Sequence, residues 1–557
     1  MDHALVRPQE RGGDARNGIA RKNVARKDLG GEGLGEQGLA AKAAAPRKGT
    51  TESGFNWSVL FRNFALNQRS LQVQIRQMIV AAIEERRLAG AARMPSSREL
   101  ALALGVARNT VVLAYRQLID EGFLTSRERS GYFVADSGAS REEGPARGEA
   151  AGAAGAAGAL RWRGRLSMTP SRQRNIVKRP DWLRYPYPFL YGQFDPSLFP
   201  TNDWRECARA ALSVLEIQNW ARDMIDGDDP ELIDQLRVHV LPRAGIFASP
   251  DEIIVTVGAQ QALYMVAQLL FRRTSRVGVE NPGYPDARNI FGLMGAQVVP
   301  LAIDGSGLVP SPEAETCGYL YVTTAHQCPT TVAMPPARRH ALIELARRSD
   351  AVIIEDGYDA EFAAGSSSAA LKSIDTDGRV IHIGSFSKLL APGLRLGSLI
   401  APAELARELR ALRRLMLRHP PSNNQRAAAL FLGLGHYKSH LRRVTQSLVE
   451  RARLLEPALE RHLPQFKRLR GGGASSYWLE GPQGFDCNML AEEAEKRGVL
   501  IEPGDIFFAG EDPPRNYLRL GFASISRDRI ANGIAALGDA VRAVGEPYLS
   551  LEGKGRG

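Results

Sequence analysis

The stretch VIHIGSFSKLLAPGLRLG (380–397) joins an apolar, β-branched run to a polar segment with a single lysine, Lys388. A short apolar run of this kind predicts a buried strand. Several such runs are separated by amphipathic segments with helical spacing, for example PARRHALIELARRS (336–349). Strands that alternate with helices predict βαβ units and a mostly parallel central sheet. The six runs are IIVTV (253–257), VGVE (277–280), VVPLAI (298–303), YLYVT (319–323), AVIIE (351–355) and VIHIG (380–384).

Polar residues follow the last of these runs, where α/β proteins commonly bind ligands. Ligands in such folds lie beyond the carboxyl ends of the strands. Lys388 could form an imine with a phosphorylated aldehyde. The hydroxyls of Ser385 and Ser387 and the guanidinium of Arg395 could hold its phosphate. A lone lysine in a loop is more often an ordinary surface residue, so the neighbouring strand ends decide between the two interpretations.

The other strand ends favour a ligand site. AVIIEDGYD (351–359) carries Asp356 and Tyr358. A pyridoxal ring needs a carboxylate at its pyridine nitrogen and a phenol at its 3′ oxygen. An aspartate at a strand end is, taken alone, more often a helix cap. The strand-to-helix turn at Ala259 offers free amides to a phosphate, and Tyr284 could stack on a ring.

Charge is concentrated at the front of the 557-residue chain. The net charge is +11, and residues 1–165 carry 26 lysines and arginines against 17 acidic residues. Residues 166–557 carry 46 against 44. The front part is therefore the one suited to a polyanion. A solvated basic tail explains residues 1–55, which we expect to be disordered, but not the segment that follows.

Several classes of protein are excluded by composition. The four cysteines are far apart and form no CxxC pair, which argues against a zinc ribbon and a disulfide framework, and we expect no metal site. We expect no membrane span. The opening residues MDHALVRPQERGG (1–13) lack an apolar segment, so we expect no secretory signal and a cytoplasmic protein.

The segment after the tail predicts two helices joined by a short turn. LQVQIRQMIVAAIEERRL (71–88) has helical spacing, and MPSSRELALALGV (94–106) contains a capping box of Ser96 and Glu99 with Gly105 at the helix end. In ARNTVVLAYRQLIDEGFL (107–124) the spacing predicts a second helix with four residues facing inward. These four are Val111, Val112, Tyr115 and Leu118.

The second helix is placed as a DNA recognition helix. Its first residues, Arg108, Asn109 and Thr110, would enter a major groove. Two short strands around a basic turn in TSRERSGYFVAD (125–136) would form a wing. Three further arginines would contact phosphates or the minor groove; they are Arg98, Arg127 and Arg129. The alternative is a generic packing module with solvated arginines.

Residues 94–134, MPSSRELALALGVARNTVVLAYRQLIDEGFLTSRERSGYFV, resemble the winged helix-turn-helix of the GntR superfamily. The resemblance implies operator binding by Arg98, Arg108 and Gly131 of the wing. Ala107 departs from the pattern because the family usually has serine there as the helix cap.

Residues 180–545 resemble the fold-type I pyridoxal-phosphate aminotransferases. The resemblance implies that Lys388 is the Schiff-base lysine and that Arg519, in YLRLGFA (517–523), clamps a substrate carboxylate. An exposed strand arginine is the alternative for Arg519. The implied cofactor contacts are Asp356 at the ring nitrogen, Tyr358 at the 3′ oxygen, Tyr284 on the ring, and Ser385, Ser387, Arg395 and the amides of Ala259 and Gln260 at the phosphate.

The segment HQCPTT (326–331) departs from the usual aminotransferase Asn-Pro-x-Gly. It is similar to the His-Gln-x-Pro motif of aminotransferase domains that are fused to a GntR-type DNA-binding domain, although Thr331 replaces a usual glycine. The missing asparagine normally bonds the 3′ oxygen, which argues against efficient transamination. Gln327 or Cys328 could take its place.

The order of the parts resembles the MocR-type regulators, the GabR-like branch of GntR proteins. That resemblance implies a transcription regulator that binds operator DNA, senses an amino compound or pyridoxal phosphate itself, and forms a head-to-tail homodimer. An active aminotransferase with a DNA-binding appendage is one alternative, and a regulator whose large domain is only a dimerisation scaffold is another.

The predicted fold is a small α+β winged helix-turn-helix followed by an α/β transferase of fold type I, with a mostly parallel sheet and a smaller C-terminal subdomain. A Gly/Ala-rich run, GEAAGAAGAAGAL (148–160), reads as a linker. The predicted parts are a tail (1–55), the winged helix-turn-helix DNA-binding domain, called the reader below (56–136), the linker (137–165), the aminotransferase-like domain (166–546) and a second tail (547–557).

Overall fold

The structure is a computed structural model that divides into two compact units, residues 1–159 and 160–557. It describes residues 57, 70–85, 87–127, 130–135, 162–193, 195–362, 369–386, 388–469 and 475–552. The predicted tail over residues 1–55, most of the predicted linker, Arg129 and Ser387 lie outside the described residues.

Between residues 70 and 135, the described part of the first unit forms three helices and a two-stranded hairpin. Its core is closed by the fully buried Tyr115, whose hydroxyl donates a hydrogen bond to the carbonyl of Pro95 at 2.9 Å. The predicted Val112 is only half-buried, because a helix turns its side chains by about 100° per residue and Val111 already faces the core. The elements are α1 (Leu71–Glu84), α2 (Ser97–Leu104), α3 (Arg108–Asp120), β1 (Leu124–Arg127) and β2 (Gly131–Val134).

Both ends of α2 follow the sequence signals, whereas α1 ends earlier than its pattern predicts. The Glu99 amide donates to Ser96 Oγ at 3.3 Å, and the Ser96 amide donates to Glu99 Oε2 at 2.8 Å, which completes the predicted capping box. Gly105 ends α2 in the left-handed region at φ +67°. α1 ends at Glu84, short of the predicted Leu88, because the Leu88 amide folds back onto the carbonyl of Ala82 at 2.9 Å.

The second unit is built on an eight-stranded sheet in the order β4-β11-β10-β9-β8-β5-β6-β7. The strands β10, β9, β8, β5 and β6 pair in parallel, as the alternating pattern predicts, while β11 is antiparallel to both of its neighbours. All six predicted strands are present. The strands are β4 (Ile253–Thr256), β5 (Arg276–Asn281), β6 (Gln297–Asp304), β7 (Gly307–Leu308), β8 (Tyr319–Val322), β9 (Val352–Asp356), β10 (Val380–Ser385) and β11 (Gly397–Ile400).

Helices connect these strands, and their buried faces pack on the sheet. The strand β4 leads directly into α7, and β5 leads into α8, so both helices begin at the carboxyl edge of the sheet. The helices from the start of the second unit are α4 (Thr201–Ala211), α5 (Val214–Trp220), α6 (Pro230–Gln235), α7 (Ala259–Leu270), α8 (Pro285–Leu293), α9 (Pro312–Glu315), α10 (Pro336–Arg348), α11 (Ala403–Leu417) and α12 (Ser422–Gly433).

A smaller four-stranded antiparallel sheet follows, in the order β12-β13-β16-β15, with α13 and α15 packed together beside it. A short parallel pair of β3 (Tyr187–Pro188) with β14 (Val499–Leu500) ties the segment 162–193 to it. The other elements are α13 (His436–His462), β12 (Lys467–Arg468), β13 (Ser476–Glu480), α14 (Cys487–Lys496), β15 (Glu502–Pro503), β16 (Tyr517–Gly521) and α15 (Ile530–Glu552).

In the described part of the chain, every helix is too short or too polar to cross a membrane.

Candidate functional site

The carboxyl ends of the parallel strands surround a cavity of about 290 Å³ in the second unit. It is lined by nine of the ten residues that the sequence predicts for a cofactor or effector; the tenth, Ser387, is outside the described residues. The loops after β4, β5, β8, β9 and β10 each contribute to the lining. The nine are Ala259, Gln260, Tyr284, Asp356, Tyr358, Ser385, Lys388, Arg395 and Arg519.

Lys388 follows β10 and is half-buried in the wall of this cavity. Its Nζ lies 3.9 Å from the ring centre of Tyr191, a cation–π distance. Burial lowers the pKa of Lys388 to about 8, and the charge of Asp359 opposes this shift. Near neutral pH a larger fraction of this amine is uncharged than in an ordinary lysine, and the uncharged amine is the form that attacks carbonyl carbon.

Asp356 ends β9 and is held by two hydrogen bonds. The Tyr321 hydroxyl donates to Oδ2 at 2.8 Å, and the Tyr358 amide donates to Oδ1 at 3.2 Å. Burial raises the pKa of Asp356, while both hydrogen bonds act in the opposite direction. A buried carboxylate of this kind gains stability from a cationic partner such as a protonated ring nitrogen.

A candidate anion-binding turn lies at the start of α7. The Arg395 Nη2 donates to the carbonyl of Val257 at 3.0 Å, and Arg395 itself adopts φ +52°. A Cβ on Gly258 would lie 2.8 Å from that same Nη2, so only glycine lets the guanidinium approach this turn. The first amides of α7, at Ala259 and Gln260, have no partner within the helix and suit an anion together with Arg395.

Tyr284 stands at the N-terminus of α8 and lines the cavity from the side of β5. Its hydroxyl donates to Asp286 Oδ2 at 3.1 Å, and Gln260 Nε2 donates to the same oxygen at 2.5 Å. These bonds orient the Tyr284 side chain beside the cavity.

Arg519 lies in β16 with 2% of its surface exposed, so the exposed-strand alternative is wrong. Its Nε donates to Glu502 Oε2 at 2.8 Å across the pairing of β16 with β15. The guanidinium carbon lies 4.2 Å from the ring centre of Tyr191 and 4.5 Å from that of Phe507. Two rings and one carboxylate therefore hold a buried cation at the cavity.

The predicted recognition residues lie at the start of α3 in the first unit. Arg108 and Asn109 are exposed and Thr110 is half-buried. Arg108 Nε donates to Ser97 Oγ at 3.4 Å, which leaves the two amino groups of the guanidinium for a bidentate contact. Ala107 occupies the helix cap and its side chain makes no capping hydrogen bond.

The other predicted DNA contacts lie on α2 and on the hairpin. Arg98 is exposed on α2. The Arg127 guanidinium lies 4.8 Å from the ring centre of Phe133, at the end of β1. Gly131 pairs with Arg127 in the hairpin and adopts φ +102°, a conformation that favours glycine.

Comparison with known proteins finds two families in this one chain. The gntR family of bacterial regulatory proteins matches residues 71–134, and the class I and II aminotransferases match residues 199–537. The regulator TauR of Rhodobacter capsulatus is 41% identical over 477 residues, which cover 85% of this chain and 97% of TauR. This chain belongs to the MocR-type regulators of the GntR family.

Two further relatives agree with this assignment. The probable rhizopine catabolism regulatory protein MocR of Rhizobium meliloti is 29% identical over 87% of this chain and 94% of its own length. Among solved structures, the α-aminoadipate aminotransferase LysN of Thermus thermophilus, complexed with N-(5′-phosphopyridoxyl)-L-leucine, is 26% identical with a TM-score of 0.60. It covers 69% of this chain and 96% of LysN.

The loop HQCPTT distinguishes this MocR-type regulator from the usual aminotransferase pattern. Gln327 turns away from the cavity, since its Nε2 donates to Glu280 and Pro282 and its Oε1 accepts from Thr330. Cys328 lines the cavity instead, with its Sγ 4.0 Å from Arg519 Nη1. Burial raises the pKa of the Cys328 thiol to about 12, so a protonated thiol stands where sequence comparison expects an amide.

Several residues of this MocR-type site were not predicted from the sequence, whereas Cys328 was one of two candidates. The residues without a prediction are Tyr191 and Lys178, which line the cavity, and Glu502 and Tyr321, which hold Arg519 and Asp356. Lys178 and Tyr191 precede the aminotransferase match, in a segment with little periodic pattern. The one local signal is the apolar run FLYG (189–192), in which Tyr191 precedes a glycine; in the structure Gly192 adopts a positive φ.

Proposed function

We propose that this MocR-type regulator binds operator DNA through its winged helix-turn-helix and senses a small amino compound, or pyridoxal phosphate itself, in the cavity of the second unit. The observation that carries the proposal is the convergence of three groups on one cavity. Lys388 offers an amine, Asp356 a buried carboxylate and Arg395 part of the candidate anion-binding turn. A pyridoxal site needs these three functions together.

The residues of the cavity fit pyridoxal phosphate. When bound, this cofactor supplies an aldehyde that reacts with amines and a ring that withdraws electrons. We assign Lys388 Nζ to covalent attachment, Asp356 to the ring nitrogen and Tyr358 to the 3′ oxygen. The remaining assigned contacts are Tyr284 on the ring face, and Ala259, Gln260, Ser385, Ser387 and Arg395 at the phosphate. The cradle that a Cβ on Gly258 would fill supports the phosphate assignment.

Arg519 is assigned to an acidic group on the effector. A buried guanidinium beside a cavity can form charge-assisted hydrogen bonds that are stronger than neutral ones. The effector would then be an amino acid rather than a simple amine.

The DNA-binding role is assigned to the exposed start of α3 and to the hairpin. We propose that Arg108, Asn109 and Thr110 read base edges, while Arg98, Arg127, Arg129 and Gly131 contact the backbone or the minor groove. A head-to-tail homodimer would present two such readers to two operator half-sites. We propose the domain boundaries 56–136, 137–165 and 166–546 and a cytoplasmic protein.

An active aminotransferase is the second candidate function, and the presence of Lys388, Asp356 and Arg519 around one cavity favours it. Cys328 argues against fast turnover, because a thiol is a weak hydrogen-bond donor and an amide is a strong one. Regulation is therefore the better-supported function.

The proposal is tested with the full-length protein loaded with pyridoxal phosphate and an operator selected from random duplexes. Amino compounds are titrated while cofactor absorbance and the DNA footprint are both recorded. We expect the same compound to change both signals at the same concentration. Sustained turnover with an unchanged footprint would favour the enzyme, and a protein without cofactor absorbance would favour the scaffold.

Asp356→Asn is expected to keep the attached cofactor but to slow its spectral response to an amine by about tenfold or more, because a neutral partner no longer stabilises a protonated ring nitrogen. Stopped-flow absorbance measures the rate. Asp350→Asn is the matched control, since Asp350 is exposed and pairs with Arg379 at 2.8 Å. An unchanged rate in Asp356→Asn would show that this carboxylate does not serve the ring.

Arg108→Ala is expected to cost about 1–3 kcal/mol on the operator and little on scrambled DNA, because it removes a base contact. Arg127→Ala should weaken binding to both duplexes and lower the slope of log K against log salt by about 0.9. Titrations at several salt concentrations measure both effects, with the exposed Arg116→Ala as the control on the same helix. Equal losses on both duplexes for Arg108→Ala would make Arg108 a phosphate contact.

A further inference from the structure

Three cationic side chains converge on one residue, Tyr191. The Lys388 Nζ lies 3.9 Å from its ring centre and the Arg519 guanidinium carbon lies 4.2 Å from it. The Lys178 Nζ donates a hydrogen bond to the Tyr191 carbonyl. A Cβ on the next residue, Gly192, would lie 2.7 Å from Lys388 Nζ and 2.8 Å from Lys178 Nζ. The two ammonium groups are therefore close neighbours across Gly192.

Glu502 is the carboxylate that faces two of these cations. Its Oε2 accepts from Arg519 Nε at 2.8 Å, and its Oε1 lies 3.7 Å from Lys178 Nζ. Asp359 is a second carboxylate near Tyr191. Its Oδ2 accepts hydrogen bonds from the Tyr191 and Ser475 hydroxyls. One carboxylate thus serves both Arg519 and Lys178, and this pair of cations keeps a positive charge beyond what Glu502 neutralises.

Lys178 is positioned to contact an anionic group of a ligand in the cavity. Its side chain lines the cavity and keeps 27% of its surface exposed, whereas Glu502 is almost fully buried behind it. Burial lowers the pKa of Lys178, and the charge of Glu502 acts in the opposite direction. A partly desolvated cation is stabilised when an anion enters beside it.

We propose that Lys178 is a specificity residue that grips the acidic group of the effector together with Arg519, so that the sensed ligand is a compact amino acid rather than a neutral amine. The inference rests on the proposed function, because it concerns the ligand of the same cavity. The Nζ atoms of Lys178 and Lys388 both lie close to Gly192. A ligand whose acidic group contacts Lys178 and whose amine lies near Lys388 therefore has these two groups only a few bonds apart.

If Lys178 had only a structural role, its loss would affect ligand binding differently. Lys178 would then only neutralise Glu502 and tie the segment 162–193 to β15. Its loss would weaken every ligand of the cavity alike, because the cavity wall itself would change. Ligands that differ only in their acidic group separate the two roles.

The experiment compares acids with their amides on the full-length protein loaded with pyridoxal phosphate. The probes are glycine, β-alanine and 4-aminobutanoate, each paired with its carboxamide, and dissociation constants are read from cofactor absorbance. Lys178→Met is the test variant and Lys178→Arg the charge-conserving one. Arg179→Met is the matched control, since the neighbouring Arg179 is exposed and pairs with Asp181 and Glu495.

We expect Lys178→Met to weaken the best acid by about 10-fold to 100-fold and its carboxamide by less than about twofold, in line with the loss of a charge-assisted hydrogen bond. Lys178→Arg should recover part of the loss, and Arg179→Met should change neither ligand. Equal losses for acid and amide, or no loss, would overturn the inference. A wild-type response confined to amines without an acid would also overturn it while the proposed function stands. Silence toward every amine would overturn the amine-sensing function as well.

Discussion

Lys388→Ala is expected to abolish covalent attachment of pyridoxal phosphate and, with it, the response of the DNA complex to amines. Lys388 Nζ is the amine that the carboxyl end of β10 presents to the cavity, and burial lowers its pKa to about 8, which favours its reactive form. The visible absorbance of the purified protein measures attachment, and operator footprints with and without amine measure the response. We expect DNA binding itself to persist, because the reader is a separate unit of the chain.

The control for this substitution is a lysine outside the cavity lining. Lys496→Ala removes an exposed amine that pairs with Glu493 at 2.8 Å, and it should leave absorbance and footprints unchanged. If the Lys388→Ala protein still shifts on its operator when an amine is added, covalent chemistry at Lys388 is not part of the signal. The cavity would then sense its ligand by binding alone.

Arg519→Ala is expected to cost about 2–5 kcal/mol of effector binding if the effector carries an acid, since a desolvated charged partner is lost. That range corresponds to a dissociation constant weaker by roughly 30-fold to several thousandfold. Titration of cofactor absorbance with an amino acid and with its carboxamide measures the effect. The acid should lose far more affinity than the amide.

Removing Arg519 also leaves Glu502 with Lys178 as its cationic neighbour, which could disturb the fold around β15. The double variant Arg519→Met with Glu502→Gln removes both charges and separates a folding defect from a binding defect. Arg515→Ala is the exposed control on the approach to β16. Unchanged affinity for the acid in both Arg519 variants would point to an effector without an acidic group, or to the cofactor as the signal.

Local sequence patterns predicted most of the central strands and many residues of the candidate site. The six β-branched runs became strands because each is short, apolar and bounded by polar or glycine-containing segments. β11 (Gly397–Ile400) was not predicted, since four residues that begin with a glycine carry too little periodicity to be distinguished from a loop. Its antiparallel pairing with β10 depends on partners distant in sequence.

The roles of Arg519, Gln327 and Cys328 could not be assigned from local sequence. Whether an arginine in a strand is exposed or buried can be decided only when its spatial neighbours are known. Tyr191 is distant in sequence from Arg519, and Glu502 and Phe507 come from a second segment. The loop HQCPTT offered two candidates for one position. The buried hydrogen bonds of Gln327 with Glu280 and Thr330 turned that side chain inward and left Cys328 at the cavity.

The sequence by itself determined the reader with its capped helix, the alternating strands, and Lys388 and Asp356 at strand ends, because each depends on residues a few positions apart. Tertiary structure alone decided that Lys178, Tyr191 and Glu502 meet beside Arg519. Lys178 and Glu502 are more than three hundred residues apart, and no periodic pattern links them. Their contact arises because β3 pairs with β14 and carries the segment 162–193 to the edge of the smaller sheet. Burial there makes the charges interact strongly, since a low dielectric surrounds them.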